Sequence, residues 1–358
     1  MAQPIEIVPP EGVTAPWVTA ALRSRGIDAA VERLAMESVG TGQLSEARRF
    51  HLTYRGTPPP DAPSSVVGKF PSTDAVAVET GKKMKLYRAE VMFYRELAAR
   101  ARIRTPFPYV AEITDDDDFV LLFEDLAPSV VGDQMRGCTV EEARRALAEA
   151  AMVNAAFWND MELAAQPWLS IPKGAQGLYT TELIESSWAY FKKTYPGALS
   201  QEVVDVCEKY VRNHAYWNGP RPLPKCFSHN DFRPDNMLFP PDGGRIAVVD
   251  WQTSSFLGTG MDPAYFLGAI FPREVRRKHE HELLAGYHED LVSYGVPDYT
   301  FDHLRNDYRH YSFAQLAVAI AATVIVKRTA RGDRLFIHMI TGAAEQAADN
   351  RALDLLPD

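Results

Sequence analysis

From Met237 to Val249 the chain reads Met-Leu-Phe, then Pro240-Pro241-Asp242-Gly243-Gly244, then Arg245 and Ile-Ala-Val-Val. Two short apolar runs separated by such a cluster of turn formers predict a tight hairpin. A hairpin returns the chain to its starting point, so whatever brackets it is brought together. Upstream stands Cys226–Asn236, CFSHNDFRPDN, and downstream stands Asp250. Asp231 and Asn236 are therefore expected to converge with Asp250, although Asp250 is distant in sequence.

A carboxylate and an amide oxygen that meet in this way suit Mg2+, a hard cation that takes oxygen ligands and leaves room for water and phosphate. A second carboxylate, close by but not a ligand, can accept a proton from a hydroxyl. Asp231 and Asn236 have the spacing of the kinase pattern, in which an Asp is followed five residues on by an Asn and then by a separate metal-binding Asp. Asp and Asn in loops more commonly serve as turn caps. What favours chemistry is the agreement of independent features. Lys69 ends the strand-like Ser65-Val-Val-Gly-Lys, after a turn containing Gly40 and Gly42 and before a helical stretch carrying Glu90. A strand lysine paired with a helix glutamate is how a kinase fixes an ammonium against nucleotide phosphates.

The remaining pattern is a strand-rich first part and a helical second part. Residues 14–27 have helical spacing, and Leu34–Val39, Glu46–Tyr54 and Ser65–Phe70 read as strands split by turn formers. Ala75–Ala101 reads as one long helix, and Tyr109–Thr114 with Phe119–Glu124 as a hairpin around a solvated Asp115–Asp118 turn. Helical signals fill 140–159, 178–195, 199–217, 272–294 and 301–348, the last with breaks. The expected fold is α+β: a small antiparallel-sheet lobe with one long helix over 1–125 and a larger, mainly helical lobe over 126–358, joined near Asp125–Ser129.

Composition excludes several alternatives. The 358 residues carry a formal net charge of -9, which argues against nucleic acid as a partner. Cys138, Cys207 and Cys226 lack paired spacing, as in a reduced cytoplasmic protein. The first residues lack the basic and apolar regions of a secretory leader, and the apolar run Leu316–Val326 is too short to span a bilayer. The aromatics Phe157, Trp158, Tyr179, Trp188, Tyr190, Phe191, Tyr195 and Trp217 can line a ligand pocket, but core packing is the better expectation for most.

HNDFRPDNMLF followed by VVDWQ resembles the phosphotransferase motif of the aminoglycoside phosphotransferase and choline kinase superfamily. LLFEDL (Leu121–Leu126) resembles that superfamily's hinge, and GTGMDPAYFLG (Gly258–Gly268) the segment after its metal-binding Asp. AEVMFYREL (Ala89–Leu97) together with the Gln of DWQ is similar to the ecdysteroid-kinase-like, or CHK-like, branch. The resemblance runs in order over roughly 35–270. It implies a protein-kinase-like fold that moves the γ-phosphate of ATP, or GTP, to a hydroxyl of a small molecule. By position it makes Asp231 the catalytic base or hydroxyl-orienting carboxylate, and Asn236 and Asp250 the Mg2+ ligands. It makes Lys69 the phosphate contact paired with Glu90, the Gly40/Gly42 turn a phosphate cradle, and the backbone of Glu124 and Leu126 the adenine contacts. His229 braces the loop, and Asp262 orders the segment after the metal site.

The departures are Asn230, where many members have Gly, DWQ in place of the protein-kinase DFG, and no APE-type activation segment. These argue against a protein kinase. A non-catalytic binding protein on the same fold is disfavoured by the intact Lys69, Asp231, Asn236 and Asp250. A hydrolase using Ser228, His229 and Asp231 is disfavoured because sequence neighbours do not readily face one another as a triad.

Overall fold

The computed structural model describes residues 5–40, 44–169, 179–221 and 224–358. Its backbone falls into two units. The first comprises the chain to Arg100, Thr105–Ser129 and the short segment Val249–Gln252; the second holds the rest.

The first unit is built on a five-stranded sheet. Helix α1 (Ala15–Ser24), capped by the Thr14 hydroxyl, leads into β1 (Val31–Val39), β2 (Ser45–Tyr54) and β3 (Ser65–Pro71). Two helices, α2 (Ala75–Lys83) and α3 (Leu86–Met92), separate these from the hairpin β4 (Pro108–Ile113) and β5 (Phe119–Glu124). The order is β1-β2-β3-β5-β4, with every neighbouring pair antiparallel. Strand β3 alternates strictly. Val66, Gly68 and Phe70 are buried, and Val66 and Phe70 join Trp17, Val18, Leu22, Phe50 and Leu122 in one apolar core. Val67 and Lys69 therefore point to the other face, as the two-residue side-chain period requires. Rings from the helical segment reach that sheet: Tyr87 lies 4.7 Å from Phe119 and Tyr94 4.5 Å from Phe123, between ring centroids.

Two expectations are corrected here. The helix expected over 75–101 is broken at Met84–Lys85, where Lys85 takes a left-handed φ of 55°, and Phe93–Leu97 is a wider π turn. The acidic turn is not uniformly solvated. Asp117 is 1% exposed, and its carboxylate accepts from Lys85 Nζ and Arg88 Nε at 2.6 Å each. The break and the buried carboxylate belong together, because a buried charge needs paired donors and the break lets α3 start with a lysine turned toward it.

The second unit is mainly helical. Strand β6 (Val130–Val131) precedes α4 (Val140–Ala156), α5 (Met161–Ala164), α6 (Thr181–Thr194), α7 (Gln201–Arg212) and α8 (His214–Trp217). Then come β7 (Cys226–Ser228), β8 (Met237–Phe239), β9 (Ala247–Val248) and β10 (Ser255–Leu257), followed by α9 (Met261–Leu267), α10 (Arg273–Ser293), α11 (Phe301–Ile325) and α12 (Ala330–Asp349). The expected hairpin is present: β8 pairs antiparallel with β9, with Met237 opposite Val248. Helix α4 carries a capping box, Thr139 with Glu142, and Thr180, Ser200, Thr300 and Thr329 cap α6, α7, α11 and α12. Among the described residues no helix is long and apolar enough to cross a membrane. Half of the eight aromatics are core: Phe157, Trp188, Phe191 and Trp217 are each at most 2% exposed, whereas Tyr190 is exposed and Trp158, Tyr179 and Tyr195 are half-buried.

His214 and His310 are two of the buried histidines of this unit. His214 hydrogen-bonds Thr181 Oγ1 at 3.0 Å, and burial pushes its imidazole down from 6.5 to about 4. Burial, aided by the charge of Arg221, pushes His310 down to about 3. Both are neutral in the fold, so on acidification the unfolded chain takes up these protons first. Their stabilising contribution is complete above pH 6.5 and is lost as the pH falls toward 4. His214→Gln is expected to flatten the difference between urea midpoints at pH 7 and pH 4.5; an unchanged difference contradicts the assignment.

Candidate functional site

In the first unit Lys69 is the centre of a charge cluster. Its Nζ donates to both carboxylate oxygens of Glu90, at 2.8 and 2.7 Å, and to Asp250 Oδ1 at 2.9 Å. Three local features produce this. The alternation of β3 turns Lys69 away from the apolar core. Glu90 lies in the short α3, whose side chain is 2% exposed. Asp250 arrives on the segment Val249–Gln252, which is anchored by Trp251: this ring is fully buried and stacks on Phe93, with centroids 3.9 Å apart and planes 10° apart. Phe93 is three residues after Glu90, so one helical turn carries both the carboxylate and the surface that seats Trp251.

The charges in this cluster have different standing. Burial pulls the Lys69 ammonium down, but the carboxylates of Asp250 and Glu90 outweigh it and hold the group above its ordinary range. Burial raises the Glu90 carboxyl to about 7, against the pull of Lys69, and the negative charge of Asp250 adds to the rise. Asp250 is the more open acid, with its side chain 29% exposed; its Oδ2 lies 3.3 Å from Gln252 Nε2. Asp250 also has a left-handed φ of 69°.

In the second unit the loop from His229 to Asn236 is organised by α9. The Asp262 carboxylate accepts from the backbone N–H groups of His229 and Asn230, both at 3.0 Å. Burial pushes that carboxyl up, against the pull of these hydrogen bonds. Asp262 thus grips the loop before β8, whereas the expectation placed it as ordering the segment after Asp250. Asn230 has φ 66°, a conformation open to Gly and tolerated by Asn. Its Nδ2 donates to Thr253 O at 2.8 Å and Ser255 Oγ at 2.7 Å, hydrogen bonds that Gly cannot make. His229 is fully buried, and its Nδ1 accepts from the Asp231 N–H at 3.3 Å.

Asp231 is held from several sides. Tyr265 OH donates to Oδ1 at 2.9 Å, and Asn236 Nδ2 donates to Oδ2 at 2.8 Å and to the Asp231 carbonyl at 2.9 Å. Arg233 Nε lies 3.1 Å from Oδ1. Burial raises this carboxyl, but the charge of Arg233 and the hydrogen bonds from Tyr265 and Asn236 prevail and hold it below the usual carboxylate range. Because the Asn236 nitrogen is spent on Asp231, the amide oxygen is the atom left for a ligand.

Helix α9 is itself clamped. Its carbonyls at Ala264 and Tyr265 accept from Gln346 and Gln315 at 3.0 and 2.9 Å, and Ala269 O accepts from Gln134 at 2.9 Å. Tyr265, Arg233, Trp251 and these glutamines were not singled out from the sequence. The one available signal for Tyr265 was its place three residues after Asp262, on the same helix face.

Of the other expected positions, Gly40 directly follows β1 with φ 72°, and Gly42 lies outside the described residues. Glu124 ends β5, its N–H donating to Phe107 O at 2.8 Å and its carboxylate accepting from Phe107 N at 3.1 Å. The Leu126 carbonyl accepts from Ser129 N at 2.8 Å. Among the described residues no group of three or more His, Cys, Asp or Glu is placed to hold a metal. Asn236 in the second unit and Asp250 in the first each offer hard oxygen donors, the type of donor that Mg2+ takes.

A small antiparallel sheet with a buried Lys–Glu pair, followed by a helical unit presenting Asp231 and Asn236 ahead of a hairpin, is the architecture of the protein-kinase-like phosphotransferases. The model of the phosphotransferase enzyme family matches residues 69–299, more than half of the chain, and the chain belongs to that family. No curated protein matches it. Among solved structures it is similar to a candidate aminoglycoside phosphotransferase from Ralstonia eutropha JMP134, with TM-score 0.53 and 15% identity over 95% of this chain and 98% of that one. It is similar to amicoumacin kinase in complex with AMP-PNP, Ca2+ and Ami, with TM-score 0.52 and 10% identity over 90% and 92%. It is also similar to a GDP complex of a mutant aminoglycoside 2'-phosphotransferase-IIIa, with TM-score 0.50 and 14% identity over 94% and 98%. At these identities the likeness defines the fold.

Removing the Lys69 ammonium leaves Glu90 buried and uncompensated. Lys69→Met is expected to lower the unfolding free energy by about 3–5 kcal/mol, the usual cost of breaking a buried pair from one side, and adding Glu90→Gln should recover part of it. Urea denaturation measures both. A loss below about 1 kcal/mol, the ceiling for an exposed pair, contradicts the cluster's role.

Proposed function

We propose that the chain is a small-molecule kinase that transfers the γ-phosphate of ATP, with GTP as the alternative donor, to a hydroxyl group. The observation that carries this reading is the largely buried Lys69 ammonium, held between Glu90 and the more open Asp250, in a chain of the phosphotransferase family. A lysine needed only for structure is satisfied by one carboxylate. The second acid, partly exposed and held in a left-handed conformation, is the kind of group that a site retains for a ligand.

In this reading each residue has one task. Lys69 keeps its charge at all working pH values and aligns the nucleotide phosphates, with Glu90 fixing its direction. Asp231 accepts the hydrogen bond of the attacking hydroxyl and aims its oxygen at phosphorus. Its depressed proton affinity makes it an orienting group first and a proton acceptor only late, as suits a reaction in which positioning and charge stabilisation do most of the work. Asn236 and Asp250 hold the divalent cation, which when bound neutralises phosphate charge. The backbone of Glu124 and Leu126 contacts the adenine.

Calorimetry of AMP-PNP binding, with and without Mg2+, tests the donor side. Wild type is expected to show Mg2+-dependent binding and Asp250→Ala to lose it. Binding that is independent of both the metal and Asp250 contradicts the reading. For any acceptor that is turned over, Asp231→Asn is expected to lower kcat by roughly 10²–10⁴; wild-type turnover in that variant removes Asp231 from the mechanism.

A further inference from the structure

The charges beside Asp231 define what an acceptor meets, and the inference drawn from them rests on the kinase reading above. Three carboxylates lie on this side of the loop, and each is already engaged by an arginine of the protein. Asp231 has Arg233 at 3.1 Å. Asp235 has Arg233 Nη1 at 3.4 Å, Arg331 Nη2 at 3.7 Å and the Gln134 N–H at 2.9 Å. Asp133 has Arg331 Nη2 at 3.6 Å and the Met135 N–H at 2.8 Å. A polycationic acceptor would have to displace these partners one by one.

The cations beside them are less occupied. Arg331 stands on the first turn of α12 with its side chain 56% exposed, and both of its ion pairs are long. Arg334, three residues on and so on the same side of the helix, is exposed and has no partner among the described residues. The same holds for Lys327, just before the helix cap. The acid on this turn, Asp333, is already taken by Arg328 Nη2 at 2.8 Å and Tyr195 OH at 2.7 Å. Next to the basic group, Val324 and Ile325 at the end of α11 are 48% and 55% exposed. In a chain of net charge -9, open cations and exposed aliphatic side chains are gathered on one segment, and Arg331 ties that segment to Asp235, four residues from Asp231.

We propose that the phosphate acceptor is a hydroxylated organic acid with an apolar body, and that Arg331, assisted by Arg334 and Lys327, binds its acid group. A cation of this kind gains more from an anionic ligand than from its long, exposed pairs, because such pairs contribute little in water, whereas guanidinium–carboxylate contact is short and bidentate.

The test is direct binding to the full-length chain by calorimetry, with and without Mg·AMP-PNP, using three probes of one skeleton: 6-hydroxyhexanoate, 1-hexanol and 6-amino-1-hexanol. Kanamycin serves as a polycation. The hydroxy acid is expected to bind at least ten-fold more tightly than the amino alcohol. Arg331→Glu is expected to cost a further ten-fold or more while AMP-PNP affinity stays unchanged. Arg334→Gln combined with Lys327→Gln, at exposed positions where folding is not at stake, should give a smaller loss in the same direction. Equal or tighter binding of 6-amino-1-hexanol or kanamycin overturns the proposal. So does absence of hydroxy-acid binding, or hydroxy-acid binding that survives charge reversal at position 331. Failure of wild type to bind AMP-PNP is a separate result that overturns the kinase reading, and the acid arm is still read in the unloaded protein.

Discussion

The first unit is arranged around one ammonium. A lone charge in a poorly solvated site is expensive, and it persists only when paired and hydrogen-bonded. Lys69 meets this requirement with three charge-assisted hydrogen bonds, two to Glu90 and one to Asp250. Each depends on a different part of the unit. The strand period of β3 sends the lysine to the face away from the apolar core, and α3 supplies the glutamate. The Trp251–Phe93 stack fixes a segment that comes from far along the chain. Slipping β3 by one residue would put Lys69 into the core face and leave both acids without a counter-charge. The register of the sheet and the state of the lysine are one constraint.

The loop of the second unit uses acids in a complementary way. Asp262 is buried and spends its carboxylate on two backbone N–H groups; it is a brace. Asp231, three residues after Ser228, accepts from side chains instead and keeps some exposure, with 25% of its side chain open. Tyr265 binds Asp231 from the same short helix that carries Asp262, so α9 sets both the loop's path and the direction of the Asp231 carboxylate. The glutamines that cap α9 extend this support into α11 and α12. Supporting hydrogen bonds of this kind pre-organise a site so that little reorganisation is left for the moment of reaction.

Much of this was legible in the sequence, for physical reasons. Strands and helices announce themselves by period, and the hairpin by Pro240–Gly244; Lys69, Glu90, Asp231, Asn236 and Asp250 stand out because charged and amide side chains at strand and hairpin ends have few structural duties. What stayed hidden depends on partners distant in sequence. Asp117 looked like one acid in a solvated run, and only the placement of Lys85 and Arg88 makes it a buried anchor. The break at Lys85 follows from the same partners and leaves no Gly or Pro at the break itself. Tyr265 and Trp251 read as ordinary apolar residues, since a hydroxyl that finds a carboxylate and a ring that finds a stacking surface carry no local signature. Asn230 looked like a departure from the family pattern, and its backbone conformation explains why the substitution is tolerated.

The two left-handed residues nearest the candidate chemistry, Asn230 and Asp250, point to how the site is maintained. A non-glycine residue in that region carries a conformational cost, which persists only where surrounding contacts over-determine the backbone. Asn230 is fixed by Asp262 on its N–H and by Thr253 and Ser255 on its side chain. Asp250 is fixed by Lys69 on its carboxylate and by the buried ring of Trp251 immediately after it. In both places the residue is next to, or is, the one assigned to the chemistry, and in both the compensation comes from charged or hydrogen-bonded side chains and buried rings in direct reach of it. A glycine at either position would relax the backbone, but it would also remove the side-chain contacts that aim the loop in one case and the carboxylate itself in the other. At these two positions the backbone cost is met by side-chain contacts, as it is at the left-handed Lys85, whose ammonium is held by the buried Asp117.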